Sequence, residues 1–402
     1  MRVLGRGKQS LATASRWLCS LESRKLISGA RSRTRLHDFG EPAIEPALSV
    51  LLNSLEGDAD LHPLGRCLIR LHLQRILETR LLLAQYWKTR GAESEAEPIE
   101  RPICIVGMPR SGSTFLHELL AADPENRAPR VWEVMFPVPD KKGSRADIRR
   151  RIRKADRCLW WFRRLAPKAD SVYPMRASTP HECVAVHSYT LLSQEFISTC
   201  RVSTYEAFLA DADLLPAYAW HRRFLQHLQN RSPRKRWVLK SPDHVYGLGQ
   251  LFNVFPDACI IHTHRNPREV LKSSTELTRV LHGLFGWSHR PEEIAEREIR
   301  TLAMATERAI EFRDRHPELA DRFIDVRYTD LTANPLSAVK DIYRRLDSPL
   351  TEAAANRMLD LAAKRSRYRG SRGAAQARAA AGETQTAEVR FRRYCSRFNV
   401  SW

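Results

Sequence analysis

Four short apolar runs constrain this chain more than any other feature: Ile103–Val106, Trp237–Leu239, Ala258–Ile261 and Phe323–Val326. Each is continuously apolar over most of its length instead of alternating, which is how a strand buried on both faces of a parallel sheet reads. Helical periodicity separates or follows them, at Thr114–Ala121, Arg145–Leu165, His181–Cys200, Val245–Asn253, Arg268–Leu284, Glu292–Arg315, Pro335–Leu346 and Glu388–Val400. Strands alternating with helices predict an α/β fold of three layers, a parallel sheet flanked by helices on both faces. Upstream, Leu64, Leu68 and Leu71 recur on one side of a helix over Pro63–Arg90, giving an N-terminal helical extension.

The organisation expected is a basic flexible or amphipathic tail over residues 1–40, the helical extension over 41–98, and an α/β domain over 99–402. A polar, acidic linker at Gly91–Glu100 joins the last two. The domain carries a basic helical insertion at about 141–168 and a basic segment at 364–386, with its lowest complexity at Ser371–Ala381. No run of eighteen apolar residues occurs, and the N-terminus lacks the apolar middle of a secretory signal. A cytoplasmic chain is therefore expected, although a transit peptide has the same Arg- and Ser-rich, acid-poor composition as residues 1–40. The eight cysteines are scattered without a Cys-x-x-Cys pair, which predicts reduced thiols and argues against zinc.

Net charge is +20, and three segments carry the excess. Residues 1–36 hold nine Lys/Arg against one acid, 141–168 twelve against two, and 361–402 ten against two. No nucleic-acid-binding module accompanies this charge, so an anionic membrane surface is the better candidate partner. Trp160, Trp161 and Phe162 beside Arg163 and Arg164 read as an interfacial amphipathic segment or as a plain packed helix.

The strongest local signal is Gly107-Met-Pro-Arg110-Ser-Gly112-Ser-Thr114, directly after the first strand and opening a helix. Strand, turn and helix in that order aim backbone amides and a positive helix end at one point, which suits phosphate or sulfate. A nucleoside-triphosphate loop of the G-x-x-x-x-G-K-[ST] type requires Lys where this chain has Ser113; its only cation is Arg110. A sulfuryl group carries less charge than a triphosphate tail, so one cation and backbone donors suffice for it without metal.

Pro109-Arg-Ser-Gly-Ser-Thr114 resembles the 5′-phosphosulfate loop of sulfotransferases that use 3′-phosphoadenosine 5′-phosphosulfate (PAPS), in the Arg form of tyrosylprotein and many bacterial enzymes. The resemblance runs over roughly residues 100–347 and the final helix, and implies a P-loop-type fold and sulfuryl transfer to a hydroxyl acceptor, a lipid or small molecule. It assigns Arg110, Ser111, Gly112, Ser113 and Thr114 to the 5′-phosphosulfate. It assigns Arg265 and Ser273, eight positions apart, to the 3′-phosphate, and Tyr328 to adenine. Thr329 stands where the family has Glu. Lys240, at a strand end, resembles the family Lys beside the bridging oxygen, where a cation stabilises the leaving phosphate.

The general base is less legible. Pro242 occupies the place of the His used by cytosolic animal enzymes. Trp132-Glu133 resembles the Trp-Glu of bacterial relatives and makes Glu133 the expected proton acceptor, ahead of His181, Glu182 and His244. His262 and His264 share one strand face but lack a third ligand at a useful spacing, so no metal is expected. Near the C-terminus Tyr368-Arg-Gly-Ser-Arg-Gly-Ala-Ala replaces the segment that bacterial relatives carry before the last helix. The competing readings are a P-loop nucleotide kinase and a catalytically silent, membrane-associated nucleotide-binding protein.

Overall fold

The protein is described from a computed structural model covering residues 19–90, 97–140, 144–230, 235–287, 290–370 and 381–402. Five strands, β1 (Ile103–Gly107), β2 (Asn126–Arg127), β3 (Arg236–Lys240), β4 (Cys259–His264) and β5 (Phe323–Arg327), form one sheet in the order β2-β3-β1-β4-β5. Every pairing is parallel: Ile103 stands opposite Val238 on one side and Cys259 on the other, and His262 opposite Asp325. Four strands fall on the four apolar runs. The fifth, β2, is two polar residues and gives no hydrophobic signal; it exists because Arg236 and Trp237 of β3 offer it a ladder.

Alternate residues of β1 feed different cores, as the pleat requires. Ile103 and Ile105 join Leu116, Leu120, Val339 and Ile342 under the helices Ser113–Ala121 and Pro335–Arg345. Cys104 and Val106 face the opposite layer, where Tyr218, Phe224 and Leu251 come from the helices Leu215–Gln229 and Leu248–Val254. Full burial of each such side chain contributes about 1.5–3 kcal/mol, so both layers are held mainly by apolar contact. The strand order reverses at β1, placing a crevice beyond the carboxyl ends of β3, β1 and β4.

Within the segment expected as a flexible or amphipathic tail, Ser23–Thr34 is a packed helix. Its Leu26 and Ala30, one turn apart, are buried in the same core as the Pro63–Arg90 helix. Residues 1–18 lie outside the described residues, as do 91–96 of the linker, 141–143 of the insertion and 371–380 of the C-terminal segment. The reduced-thiol expectation is also corrected, for one pair: Cys19 and Cys67 form a disulfide across 48 residues. That proximity comes from the packing of the N-terminal helices and has no counterpart in local spacing. Arg80, fully buried, donates to the carbonyls of Phe39 (2.9 Å), Gly40 (3.0 Å) and Tyr189 (2.6 Å), so the extension is tied into the sheet domain.

The helix expected over His181–Cys200 is broken into Val184–His187, a 3-10 turn at Ser188–Thr190, and Glu195–Thr199. Leu191 sits at a left-handed φ of 59°, and the Thr190 and Ser193 hydroxyls bond nearby backbone, which competes with helix continuation. Further helices at Glu45–Gly57, Ser203–Asp211, Leu215–Gln229 and Glu352–Gly370 were not legible from periodicity. The last runs into the atypical basic segment, and its Arg365 pairs with Glu118 of the loop helix.

Candidate active site

The loop after β1 is shaped by two glycines. Gly107 has φ 130°, and a Cβ there would lie 2.4 Å from the Thr263 carbonyl of β4. Gly112 has φ 91° and caps the Ser113–Ala121 helix; a Cβ would meet the Tyr328 ring at 2.9 Å. Only glycine meets both demands without strain. Between them Arg110 is itself left-handed at φ 66°. The Ser111 hydroxyl donates to the Met108 carbonyl at 2.5 Å and lies 2.6 Å from Thr263 Oγ1. It therefore braces the loop and is buried; of the ligand set expected from sequence, its side chain has a structural duty. The first amides of the helix, at Ser113 and Thr114, have no intrahelical acceptor, as at any helix start.

Around this loop three side chains from later in the chain meet. Arg110 Nε donates to Ser273 Oγ at 3.0 Å, and Arg265 Nη1 donates to the Arg110 carbonyl at 2.8 Å. The Arg265 guanidinium lies 4.1 Å from the centroid of the Tyr328 ring, the same ring that Gly112 touches. Arg265 also pairs with the exposed Glu269, at 2.9 and 2.8 Å. Two guanidiniums, a hydroxyl, an aromatic face and a helix start thus converge at the carboxyl edge of β1, β4 and β5.

Beside the loop, Lys240 ends β3 and is almost fully buried. Its Nζ donates to Thr114 Oγ1 at 3.2 Å and pairs with Glu182 Oε1, which also accepts from the Tyr173 hydroxyl at 2.7 Å. Burial disfavours charge on Glu182, but Lys240 and the Tyr173 hydrogen bond outweigh it and hold its carboxyl below the usual range.

Glu133, the base expected from the motif, is held by local contacts. Glu133 sits in the short helix Val131–Met135 with both oxygens engaged: Oε1 accepts from Arg127 Nη2 at 3.0 Å and Oε2 from the Arg130 backbone amide at 2.9 Å. Arg127 also donates to the Leu228 carbonyl and stacks on Trp237 at 4.7 Å, so Glu133 fixes a turn against β3. His181 is neutral, since burial pushes its imidazole down to about 4. His244 is buried with Nδ1 2.9 Å from the Tyr218 hydroxyl, in a cluster of His187, His221 and Tyr218 behind the strand end.

The argument that His262 and His264 lack a third ligand is also corrected. Asp325 of β5 comes within 4.8 Å of both, because the strand register sets it opposite His262. Its oxygens, however, accept from Arg313 at 2.7 and 2.9 Å, and His264 Nε2 lies 2.8 Å from Oδ1. A bidentate guanidinium already supplies the positive charge that a metal ion would bring.

A cavity of about 110 Å³ opens beside the loop, between Gly107–Pro109, Pro242–Asp243 and the helices Pro267–Phe285 and Pro291–Arg315. Its apolar wall includes Ile197, Val245, Leu277, Leu281 and Leu302. Asp243, absent from the reading of the sequence, lines it one residue after the Pro that replaces the family's His.

The match to known proteins follows this geometry. Residues 102–352 match the family described as the sulfotransferase family, a span that includes the loop, Lys240, Arg265, Ser273 and Tyr328. Over 264 residues the chain is 25% identical to omega-hydroxy-beta-dihydromenaquinone-9 sulfotransferase Stf3 of Mycobacterium bovis and of Mycobacterium tuberculosis. That match covers 61% of this chain and 62% of the relatives' length, so the chain spans less than two thirds of these curated relatives. The crystal structure of sulfotransferase STF1 from M. tuberculosis has a TM-score of 0.79 at 28% identity, covering 93% of this chain and 98% of that one. Sulfotransferase STF9 from Mycobacterium avium shares the fold at a TM-score of 0.79 and 24% identity, with 94% and 97% covered. The family match takes in more than half of the chain and its loop opens the same parallel sheet: the chain belongs to the sulfotransferase family.

Proposed function

We propose that the protein transfers a sulfuryl group from PAPS to the hydroxyl of an apolar acceptor. The observation that carries this reading is the meeting of Arg110, Ser273, Arg265, Tyr328 and Gly112 at the strand ends, within the sulfotransferase match. Arg265 and Ser273 would hold the 3′-phosphate, with Tyr328 as the surface for the base. Arg110 and the amides of Gly112, Ser113 and Thr114 would take the phosphosulfate. The exposed pair with Glu269 is worth little, about 0–1 kcal/mol, so a phosphate replaces it cheaply. PAPS supplies the activated sulfur–oxygen bond; Lys240 stabilises the negative charge that grows on the departing phosphate oxygen, and Glu182 keeps Lys240 positioned.

Adenosine 3′,5′-bisphosphate at 100 times its dissociation constant should stabilise the fold by about 2.7 kcal/mol. AMP and ATP at equal concentration should give far smaller shifts in Tm, and chelation of magnesium should change none of them. Equal shifts with ATP, or a magnesium requirement, favour the kinase reading instead.

The acceptor reading rests on the apolar wall of the cavity and on the relatives whose printed activity is on a hydroxylated menaquinone. A second surface supports delivery from a bilayer. Along the Arg145–Leu165 helix Trp160 and Trp161 remain 47% and 56% exposed beside Arg163 and Arg164. A cationic groove on the same helix is lined by Arg153, Lys154 and Arg157. Exposed indoles flanked by arginines fit an anionic lipid interface. No helix of the described residues is long and apolar enough to cross a membrane. Sedimentation with phosphatidylserine vesicles should retain the protein and phosphatidylcholine vesicles should not. W160A/W161A should weaken the first binding at least about 10-fold, the loss expected when two interfacial aromatics go. Equal retention on both lipids overturns the anionic-surface reading.

A further inference from the structure

We infer that Tyr173 positions the Glu182–Lys240 pair for sulfuryl transfer, which makes the end of the basic insertion part of the reaction centre. The inference rests on the sulfotransferase reading and adds a residue that no motif marks. The Tyr173 hydroxyl donates to Glu182 Oε1 at 2.7 Å, and the same oxygen pairs with Lys240 Nζ. Lys240 in turn donates to Thr114 Oγ1 of the loop helix at 3.2 Å. A chain of contacts thus runs from Tyr173 through Glu182 and Lys240 to the loop after β1. Among the described residues, Tyr173 and Lys240 are the two side chains that bond the Glu182 carboxylate. A buried ion pair holds only where further hydrogen bonds satisfy the carboxylate, because both charges have lost water. The Lys240 and Glu182 side chains are 2% and 14% exposed, so the phenol stands in for water.

The fold fixes where this hydroxyl sits. The helix Pro167–Val172 ends at Tyr173, whose backbone amide donates to the Ala169 carbonyl at 2.8 Å. Ala169 is buried, and Asp170 pairs with Arg176 at 2.9 Å, which ties the chain before Tyr173 to the chain after it. Further on, the Ala177 and Thr179 carbonyls accept from the Trp132 and Val131 amides at 3.0 and 3.1 Å. Val172, one residue earlier, accepts from Arg110 Nη1 through its carbonyl at 3.3 Å. Consecutive residues therefore hold the arginine of the loop and the acid beside Lys240.

Burial and the charge of Glu182 keep the Tyr173 phenol well above its usual range, so it remains a donor throughout the working pH. Its bond favours the ionised carboxylate, which burial opposes. The other titratable groups near Glu182 are His181 beside it, His117 of the loop helix and Asp243 after β3. Burial pushes the two imidazoles down to about 4 and about 3, so both are neutral, and it pushes the Asp243 carboxyl up to about 7. An ionised Glu182 keeps Lys240 against the loop; a protonated one releases it. No bond of the substrate is made or broken at Tyr173, which acts through Glu182 alone.

The test compares wild type, Y173F, E182Q and Y173F/E182Q as whole chains. It reads adenosine 3′,5′-bisphosphate released from PAPS, with geranylgeraniol in detergent micelles and with water alone as acceptor. Y173F should lower kcat roughly 10-fold, the equivalent of one hydrogen bond to a charged group, and leave the KM for PAPS within about twofold. In the E182Q background the same substitution should cost less than about twofold, because no carboxylate is left to hold. The pH profile of Y173F is a second readout that does not require E182Q to fold. The Glu182 carboxyl is held below its ordinary value, so wild-type turnover falls only as pH drops through that lowered value. Losing a donor to the ionised form raises it, and the acid limb in Y173F should move up by about one pH unit. A tyrosine that merely packs would lower the rate equally in both backgrounds and leave the acid limb in place. Either result overturns the assignment, as does Y173F turnover within about twofold of wild type. Bisphosphate affinity separates this from the donor reading. If wild type does not bind the bisphosphate, the sulfotransferase site fails and Tyr173 with it; if both bind equally and their pH profiles coincide, Tyr173 alone is excluded.

Discussion

Lys240→Ala slows sulfuryl transfer by roughly 10²–10³-fold, the usual cost of removing one charged group from a developing oxyanion. It also unfolds more easily, because Glu182 then stays buried with Tyr173 and no cation. Removing one partner of a buried pair costs about 3–5 kcal/mol, so rate and stability must be measured separately. The double variant K240A/E182Q does this. Replacing Glu182 by its neutral isostere should recover most of the lost stability and none of the rate, since the charge at the bridging oxygen is still missing. Calorimetric titration with adenosine 3′,5′-bisphosphate should find affinity within a few-fold of wild type in both variants, and urea melts report the stability. A double variant that regains the rate would show that Lys240 serves the fold and not the leaving group.

The second large effect concerns Glu133 and is one of stability. Glu133→Gln removes the charge facing Arg127 in a turn where both side chains are mostly buried. The unpaired guanidinium, held against Trp237 and the Leu228 carbonyl, should cost about 3 kcal/mol. Turnover per folded molecule should stay near wild type, because neither oxygen of Glu133 is offered to a substrate. The compensating variant R127M/E133Q should restore the midpoint of urea unfolding. A fall of 10²-fold or more in turnover at full folding would return Glu133 to the chemistry.

Glu133 and Asp243 show where reading along the chain stops being informative. Glu133 follows the loop at a spacing that resembles the Glu-using relatives, and the motif is real; its carboxylate is consumed by a local cap and by Arg127, six residues earlier. Asp243 carries no motif. It stands next to Pro242, which along the sequence marks only the absence of a histidine. The signal that a carboxylate after Lys240 faces a cavity lies in the helices Pro267–Phe285 and Pro291–Arg315, which enclose it from far along the chain.

The sheet behaved differently. Continuous apolar runs and the strand-turn-helix signal at 103–116 are local properties, driven by burial and by the steric needs of Gly107 and Gly112, so the sequence alone determined the α/β class and the strand-turn-helix loop after β1. The family resemblance also assigned Arg110, Arg265, Ser273 and Tyr328 to one nucleotide site, and the fold brings these side chains together. Only the tertiary structure decided that Cys19 reaches Cys67, that Ser23–Thr34 packs as a helix, and that Glu182 takes Lys240. The reason is physical. Local propensity and periodicity act within a few turns of backbone, whereas burial and charge pairing depend on which distant segments the packed core brings into contact.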